Sequence, residues 1–189
     1  MRGADLIAAK LRAAGCRAAF GIPGGEVIAL VDALEAAGIR FRLARHENAA
    51  GFMAEGFWHA TGAPGVLVAT IGPGVANAVN VIANAGQDRV PLVVLTGCLD
   101  GPDADTYTHQ VFDHRAVLRP LVKATFRAHA GSLDRVMDKA IAAALSGQPG
   151  PVHVDVPIPV AEGETGERPG PAPDLPPTDV AASGEALST

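Results

Sequence analysis

Apolar and polar positions along the chain alternate between two patterns. Residues 4–15 place apolar side chains such as Leu6 and Ile7 at helical spacing and end at Gly15, a residue suited to a helix C-terminus. Residues 91–97, PLVVLTG, are instead apolar without alternation, which is typical of a strand buried on both faces of a parallel sheet. The chain therefore interleaves helices with buried strands.

These two patterns recur along most of the sequence. The predicted helices cover 4–15, 26–38, 44–62, 75–86 and 132–145, and the predicted strands cover 17–23, 39–45, 65–70, 91–97, 123–128 and 151–157. The stretch between the fourth strand and Pro120 is predicted to be irregular. About six strands with helices between them predict a doubly wound α/β fold, in which a parallel sheet carries helices on both faces. The pattern does not determine the order of the strands.

The composition changes near residue 161. A chain of 189 residues that is 48% hydrophobic can form one domain with a substantial core. Residues 161–189 hold five of the 15 prolines and almost no large apolar side chains, so they cannot form a core of their own. We therefore expect a domain at 1–160, followed at 161–189 by a Pro-rich, acidic linker or disordered tail.

Charge and targeting signals narrow the class of protein. The formal net charge of −5 resides in the tail, because residues 1–160 carry 14 acidic and 14 basic side chains. The sequence has no basic stripe, which argues against a nucleic-acid partner, and its apolar runs have the length of strands and not of membrane spans. Residues 1–15 lack the features of a signal peptide, so a cytoplasmic location is expected. Cys16 and Cys98 are expected to be buried core thiols, and no Cys or His set has the spacing of a metal site.

Ligands of doubly wound sheets bind at the carboxyl ends of the strands, which directs attention to the loops found there. The first is FGIPGGE, residues 20–26, where Gly24 and Gly25 let the backbone approach a ligand closely. One interpretation is a dinucleotide fingerprint with Glu47 as the later acid, but the glycine spacing does not match GxGxxG. The other alternative is a tight turn without a ligand.

Glu47 lies where the second predicted strand passes into a helix of small residues. A glutamate in a first turn usually interacts with the helix dipole and the free amides. Here Ala50, Gly51 and Ala54 leave one side of the helix without bulk, so that a flat ligand could pack beside the carboxyl group. In that setting, Glu47 would be suited to act as a general acid.

A third loop follows the strand at 65–70. Gly72, Pro73 and Gly74 form a stiff turn with exposed amides, and Asn77 follows one helical turn later with a side chain that can donate and accept hydrogen bonds. The alternative is an ordinary connection with a solvated Asn77.

A fourth loop, YTHQVFDH, covers residues 107–114. Its His109, Gln110 and His114 could orient a substrate, and the alternative is that they are solvated loop side chains. His129 and His153 fall in or beside predicted strands and are interpreted as structural.

Five stretches together resemble one protein family: FGIPGGE, RHENAAGFMAEG, IGPGVAN, DRVPLVVLTG and HQVFDHRAVLRPLVK. Over about residues 3–160 the chain is similar to the amino-terminal pyrimidine-binding domain of thiamine diphosphate enzymes, in particular acetolactate synthase and its relatives. Five loops in the right order are a much stronger signal than any one of them. The resemblance implies an enzyme that decarboxylates a small 2-oxo acid and transfers the product to an acceptor.

The resemblance also implies roles for residues. In this family the glutamate after the histidine hydrogen-bonds N1′ of the cofactor's aminopyrimidine, a position that Glu47 matches, and a carboxyl group shielded from water can share a proton with that nitrogen. The residues that would line the cofactor are Gly72, Pro73, Gly74 and Asn77, and those that would line the substrate space are Gly24, Gly25, His109 and Gln110.

Several positions depart from the family pattern. Glu26 stands where relatives often have Ala, His109 where they have Phe, Ile71 where Ser or Thr is frequent, and Val111 where an acid commonly follows the glutamine. Glu26 could place a charge near the substrate and alter substrate choice. The resemblance alone therefore does not imply acetolactate formation from two pyruvates.

A further departure is that GDG does not occur in this sequence, whereas the family holds the diphosphate through Mg²⁺ with a GDG motif followed by Asn. The resemblance therefore implies that this chain binds only the aminopyrimidine end of thiamine diphosphate, with Mg²⁺ on a diphosphate-binding domain or subunit in a dimer or higher oligomer. The chain would be a fragment of a longer enzyme or one subunit of a split enzyme. Two alternatives stay open: a non-catalytic regulatory or scaffold copy of the domain and, less favoured, a nucleotide-binding domain.

Overall fold

Six strands form one parallel sheet in a computed structural model that describes residues 1–107 and 109–173. The strands are β1 (Ala18–Gly21), β2 (Arg40–Leu43), β3 (Gly65–Ala69), β4 (Leu92–Cys98), β5 (Ala124–Arg127) and β6 (Val152–Pro157). The helices are α1 (Gly3–Ala13), α2 (Ile28–Ala36), α3 (Glu47–Thr61), α4 (Pro73–Gln87), α5 (Pro102–Thr106), α6 (His114–Leu118), α7 (Leu133–Leu145) and α8 (Ile158–Glu162), and a 3-10 turn at Gly25–Val27 precedes α2. The doubly wound α/β fold predicted from the sequence is confirmed.

The strand order is β2-β1-β3-β4-β6-β5. The connections after β1 and β3 run towards opposite edges of the sheet, so these two neighbours mark the point where the winding reverses. They pair through Phe20 with Leu67 and Gly21 with Val68. A crevice opens at such a reversal beyond the carboxyl ends of the strands, and this is where doubly wound proteins bind ligands.

Two apolar layers cover the sheet because side chains of a strand alternate between its faces. On one face, Val66 and Val68 of β3 pack with α1, α2, α7 and α8. On the other face, Leu67 packs with α3, α4 and Leu118 of α6. Cys16 and Cys98 are buried as expected, and burial raises the pKa of each thiol to about 12.

Three short helices differ from the elements predicted. α5 and α6 lie in the stretch predicted to be irregular, and α8 crosses the predicted domain boundary at residue 160. Each has five residues, too few for an apolar period to show in the sequence. α6 begins because the Asp113 side chain accepts a hydrogen bond from the Ala116 amide at 2.9 Å.

Residues 163–171 pack against α1 and α7 through polar contacts. The Glu167 carboxylate accepts hydrogen bonds from the first two amides of α7 at 3.0 and 3.1 Å. The buried Lys10 ammonium donates to the carbonyls of Gly170 and Pro171 at 3.2 and 3.0 Å. Such backbone contacts need no apolar side chains, so the composition of this segment does not predict them. Residues 174–189 lie outside the described residues, and the linker or tail predicted there stays a prediction.

In the part of the chain that the structure describes, no helix combines the length and apolar character needed to cross a membrane.

Candidate functional site

Glu47 is the first residue of α3, yet its side chain does not extend into solvent. The residue is only 5% exposed, and its Oε2 accepts a hydrogen bond from Asn77 Nδ2 of α4 at 3.0 Å. The helix is capped by the preceding residue, since His46 Nδ1 accepts from the Asn48 amide at 3.1 Å. Glu47 is therefore not the residue that caps α3, and its carboxyl group bridges two helices beside the crevice.

The turn between β3 and α4 borders this carboxyl group. A Cβ atom at Gly74 would lie 3.4 Å from Glu47 Oε1 and 3.0 Å from the Thr70 methyl group. The glycine therefore lets the turn pack closely against Thr70 and Glu47, where any side chain would press on both. Pro73 forms the first turn of α4, where its missing amide costs nothing.

Gly72, the first residue of this turn, has a backbone conformation that favours glycine. Its φ is +63°, and a Cβ atom there would lie 2.1 Å from the Gln110 carbonyl oxygen. Its amide donates a hydrogen bond to His114 Nε2 at 3.1 Å. Gly72 thus joins the turn to the segment that carries Gln110.

The Gly24–Gly25 loop lies across the same crevice, after β1. A Cβ atom at Gly24 would meet the Thr70 hydroxyl at 2.6 Å, whereas Gly25 faces open space. The Thr70 hydroxyl donates a hydrogen bond to the Glu26 carboxylate. A second carboxylate therefore lies at the reversal of the sheet, and Thr70 separates it from Gly74 and Glu47.

The structure brings most of the residues singled out from the sequence to this crevice, and it also separates some of them. Glu47, Gly74 and Asn77 form one contact group, and Gly72 contacts Gln110. His109 and Gln110 are both exposed. His114 differs from the expectation of a substrate-orienting loop residue, because it is buried, with 3% exposure, and its two ring nitrogens contact the protein.

A buried polar cluster lies behind Gly72, at the ends of β4 and β6. Asp155 Oδ1 is 2.9 Å from His114 Nδ1 and accepts a hydrogen bond from the Thr96 hydroxyl at 2.6 Å. His153 Nε2 lies 2.8 Å from the same hydroxyl. Burial alone would raise the pKa of Asp155, but its hydrogen bonds to His114, His153 and Thr96 hold the pKa of this carboxyl well below its usual range. Asp155 is therefore a buried carboxylate at neutral pH.

This cluster has the residue types of a metal centre. His114, His153 and Asp155 each place one ligand atom within 4.8 Å of the others. A histidine that binds a metal usually donates its second ring N–H to an acceptor. The second nitrogen of His114 instead faces the Gly72 amide, which is itself a donor. The arrangement therefore fits a hydrogen-bonded network better than a metal centre.

Sequence reasoning did not single out Thr70 or Asp155. The sequence does contain a signal for Asp155, because a carboxylate within the buried strand β6 needs hydrogen-bond partners. Thr70 had none, because one threonine at the end of a strand is unremarkable until the fold places Glu26 beside it.

A second signal was present in the spacing of asparagines on α4. Positions 77, 80 and 84 lie on one face of a helix, and their amides donate hydrogen bonds to α3. Asn80 donates to Asn48 at 3.1 Å and Asn84 to Glu55 at 3.0 Å. The bond from Asn77 to Glu47 is the first of this series, so the helix pair positions the carboxyl group.

Comparisons with known proteins agree with this geometry. The family model described as "Thiamine pyrophosphate enzyme, N-terminal TPP binding domain" matches residues 1–117. The chain is 38% identical over 167 residues to the acetolactate synthase isozyme 2 large subunit of Escherichia coli K12. This aligned region covers 87% of the chain and 30% of that protein. It is 42% identical over 163 residues to the isozyme 3 large subunit of the same organism, covering 83% and 28%.

A relative from another organism gives the same picture. The probable acetolactate synthase large subunit of Methanocaldococcus jannaschii is 37% identical over 165 residues, covering 87% of the chain and 28% of that protein. The chain thus spans less than a third of the length of these curated relatives. Because the family model covers more than half of the chain, the chain belongs to the thiamine pyrophosphate enzymes and carries their N-terminal TPP binding domain.

Proposed function

We propose that this chain is the pyrimidine-binding part of a thiamine diphosphate-dependent enzyme that decarboxylates a small 2-oxo acid and transfers the product to an acceptor, as in acetolactate synthase. The observation that carries the proposal is the buried carboxyl group of Glu47, which accepts a hydrogen bond from Asn77 and lies beside the glycine turn at Gly74. Family membership and the acetolactate synthases among its relatives support it.

The residues present fit the aminopyrimidine end of the cofactor. A carboxyl group beside a glycine turn offers a proton-exchanging partner for a ring nitrogen. When bound, thiamine diphosphate supplies the electron sink that decarboxylation of a 2-oxo acid requires.

The side chains of this chain would divide the remaining tasks. Glu47, held by Asn77, would exchange a proton with the ring nitrogen N1′ in a site shielded from water. The turn of Gly72, Pro73 and Gly74 would position the ring by its backbone. Gly24, Gly25, His109 and Gln110 would border the substrate, where backbone and exposed side chains remain free to contact it. Glu26, next to Gly24, would place a negative charge there.

A partner domain would complete the site. Residues 73–87 contain no charged residue, and α3 exposes Phe52 and Met53, which are 42% and 43% accessible. We call the exposed side of these two helices, at Phe52, Ala76 and Asn80, the α3–α4 face. Uncharged apolar surface of this kind marks a contact with another protein surface. We infer that a diphosphate-binding domain or subunit, carrying the Mg²⁺, covers this face beside Glu47.

The test compares two buried glutamates of α3. Glu55 is 6% exposed and accepts a hydrogen bond from Asn84, as Glu47 does from Asn77. It lies eight residues further on, about 12 Å along the helix. In the chain assembled with its diphosphate-binding partner, thiamine diphosphate and Mg²⁺, Glu47→Gln should lower CO₂ release from a 2-oxo acid by about 10²- to 10⁴-fold, because the amide cannot exchange the proton.

The matched control, Glu55→Gln, should keep the rate of CO₂ release within about twofold of wild type, because its side chain lies about 12 Å along the helix from Glu47 and keeps an oxygen that can accept from Asn84. Equal rates for Glu47→Gln and wild type would contradict the proposed mechanism. An assembled wild-type complex that binds thiamine diphosphate but releases no CO₂ from any 2-oxo acid would instead favour the non-catalytic copy of the domain.

A further inference from the structure

The amide of Gly72 and the ring of His114 connect the proposed cofactor turn to the buried cluster at Asp155. We propose that His114 is a positioning residue, which holds the Gly72–Gly74 turn and the Gln110 segment in one fixed arrangement by accepting the Gly72 hydrogen bond. The inference rests on the proposed function, because it assigns a purpose to the arrangement of that site.

The hydrogen bonds determine where the proton on the His114 ring lies. A backbone N–H can only donate, so Nε2 of His114 accepts from Gly72 and carries no proton. The ring proton therefore lies on Nδ1 and is donated to the carboxylate of Asp155. This pairing selects one tautomer and one ring orientation, as a carboxylate behind a histidine generally does.

The side chain of Asp155 is itself held in position by the sheet. It lies on β6, which pairs with β4 on one side and β5 on the other, is 4% exposed, and also accepts a hydrogen bond from the Thr96 hydroxyl of β4. The chain of contacts therefore runs from the rigid sheet through Asp155 and His114 to the Gly72 amide. A turn held in this way cannot rotate its peptide groups without leaving a buried donor unpaired, which is unfavourable.

His114 also constrains the backbone at Gln110. Gly72 and Gln110 both have a positive φ, +63° and +62°, and the Gln110 carbonyl oxygen would lie 2.1 Å from a Cβ atom at Gly72. A left-handed conformation is unfavourable for a residue other than glycine and persists only where its surroundings impose it. His114 follows Gln110 by four residues and is anchored from below, so one buried ring keeps both the turn and the Gln110 segment in place.

Two substitutions separate the two bonds of His114. The oxygen of glutamine can occupy the position of Nε2, so His114→Gln keeps an acceptor for the Gly72 amide. The shorter asparagine reaches only the position of Nδ1, so His114→Asn keeps the contact with Asp155 and loses the one with Gly72. A role limited to filling the buried cluster would be rescued by asparagine, whereas the positioning role would be rescued by glutamine.

His153→Asn is the matched control, because His153 belongs to the same buried cluster without contacting Gly72. The first measurement is hydrogen exchange of the Gly72 amide by NMR in the full chain, relative to amides of β4. The second is the affinity of the complex with the diphosphate-binding partner for thiamine diphosphate in the presence of Mg²⁺.

We expect slow Gly72 exchange in wild type, His114→Gln and His153→Asn, and faster exchange in His114→Asn. The affinity for thiamine diphosphate should fall by about three- to tenfold in His114→Asn alone, as for the loss of one hydrogen bond. Equal Gly72 exchange in both His114 variants, or rescue by asparagine in place of glutamine, would overturn the inference. If wild-type complex does not bind thiamine diphosphate, the proposed function fails, and the exchange data still decide whether His114 holds the turn.

Discussion

At the scale of single residues, the same side chain type has two environments on one helix. Glu47 and Glu55 are both buried in α3 and both accept from an asparagine of α4. Glu47 borders the glycine turn at the crevice, whereas Glu55 lies further along the seam between the two helices. The position of each carboxyl group relative to the crevice, and not its burial, therefore separates the candidate catalytic residue from the structural one.

Glu55 gives a prediction about stability and pH. Burial raises the pKa of Glu55 above its ordinary value of 4.5, and the hydrogen bond from Asn84 offsets part of that rise. The folded chain thus binds this proton more tightly than the unfolded chain, so the free energy of unfolding falls as the pH rises above about 4.5. Glu55→Gln cannot ionise and should melt a few degrees higher than wild type at neutral pH.

The melting temperatures of Glu55→Gln and wild type should converge near pH 4, where both side chains are neutral. Thermal unfolding followed by circular dichroism at the two pH values checks this. A Glu55→Gln variant that is less stable than wild type at neutral pH and unchanged near pH 4 would contradict the sign of the effect.

The sequence points to some site candidates and not to others. It singles out Glu47, Gly72, Gly74 and Asn77 as candidates, because glycines, a proline and a lone carboxylate stand at strand ends, where the fold class puts ligands. The contacts of His114 do not follow from it. Its partners lie 42 positions away at Gly72 and 41 at Asp155, and only folding brings them together.

At the scale of elements, the contact between α3 and α4 decides how Glu47 is presented. The helices approach closely at Gly51, where a Cβ atom would lie 2.2 Å from a Val81 methyl group. Above and below this contact, asparagines of α4 donate to α3. The seam therefore combines a close backbone approach with directional bonds, which sets the position of one helix along the other.

Two glycines of α3 test this seam. Gly51→Ala should destabilise the chain by about 1–3 kcal/mol, because the added methyl group overpacks the contact with Val81. Gly56 has open space around its Cβ position on the same helix, so Gly56→Ala should stabilise the chain by about 0.5–1 kcal/mol through helix propensity. Chemical denaturation of the two variants measures both changes, and a Gly51→Ala variant that is at least as stable as wild type would show that the seam is not tightly packed.

The sequence predicts a helix or strand correctly when its pattern of apolar residues is long enough to show a period. The five long helices and six strands follow from the periodicity, because burial on one or two faces leaves a regular spacing of apolar residues. α5, α6 and α8 do not, since five residues are shorter than two helical turns.

At the scale of the whole molecule, the two layers of helices differ in what they expose. One layer receives residues 163–171, which pack against α1 and α7. The other layer presents the α3–α4 face, with apolar and amide side chains and no charge from α4. Among the described residues, the chain therefore covers one helix layer with its own segment 163–171 and leaves the α3–α4 face exposed.

A charge on the α3–α4 face should weaken assembly. Phe52→Glu would bury an unpaired carboxylate under the proposed partner and should raise the Kd for the diphosphate-binding domain or subunit by about tenfold or more. Lys139→Glu is the control, since Lys139 is exposed on α7 in the opposite layer, and it should leave the Kd unchanged. Titration calorimetry measures both, and a Phe52→Glu variant that binds as wild type does would place the partner elsewhere.

The sequence by itself determined the fold class, the long elements and the candidate residues at strand ends, because local spacing of apolar residues and glycines reports burial and turns directly. Only the tertiary structure decided the strand order, the burial of Glu47 against Asn77 and the link from Asp155 through His114 to Gly72. Those features depend on contacts between residues at least 22 positions apart, and the spacing of residues along a chain carries no record of which distant partner each will meet.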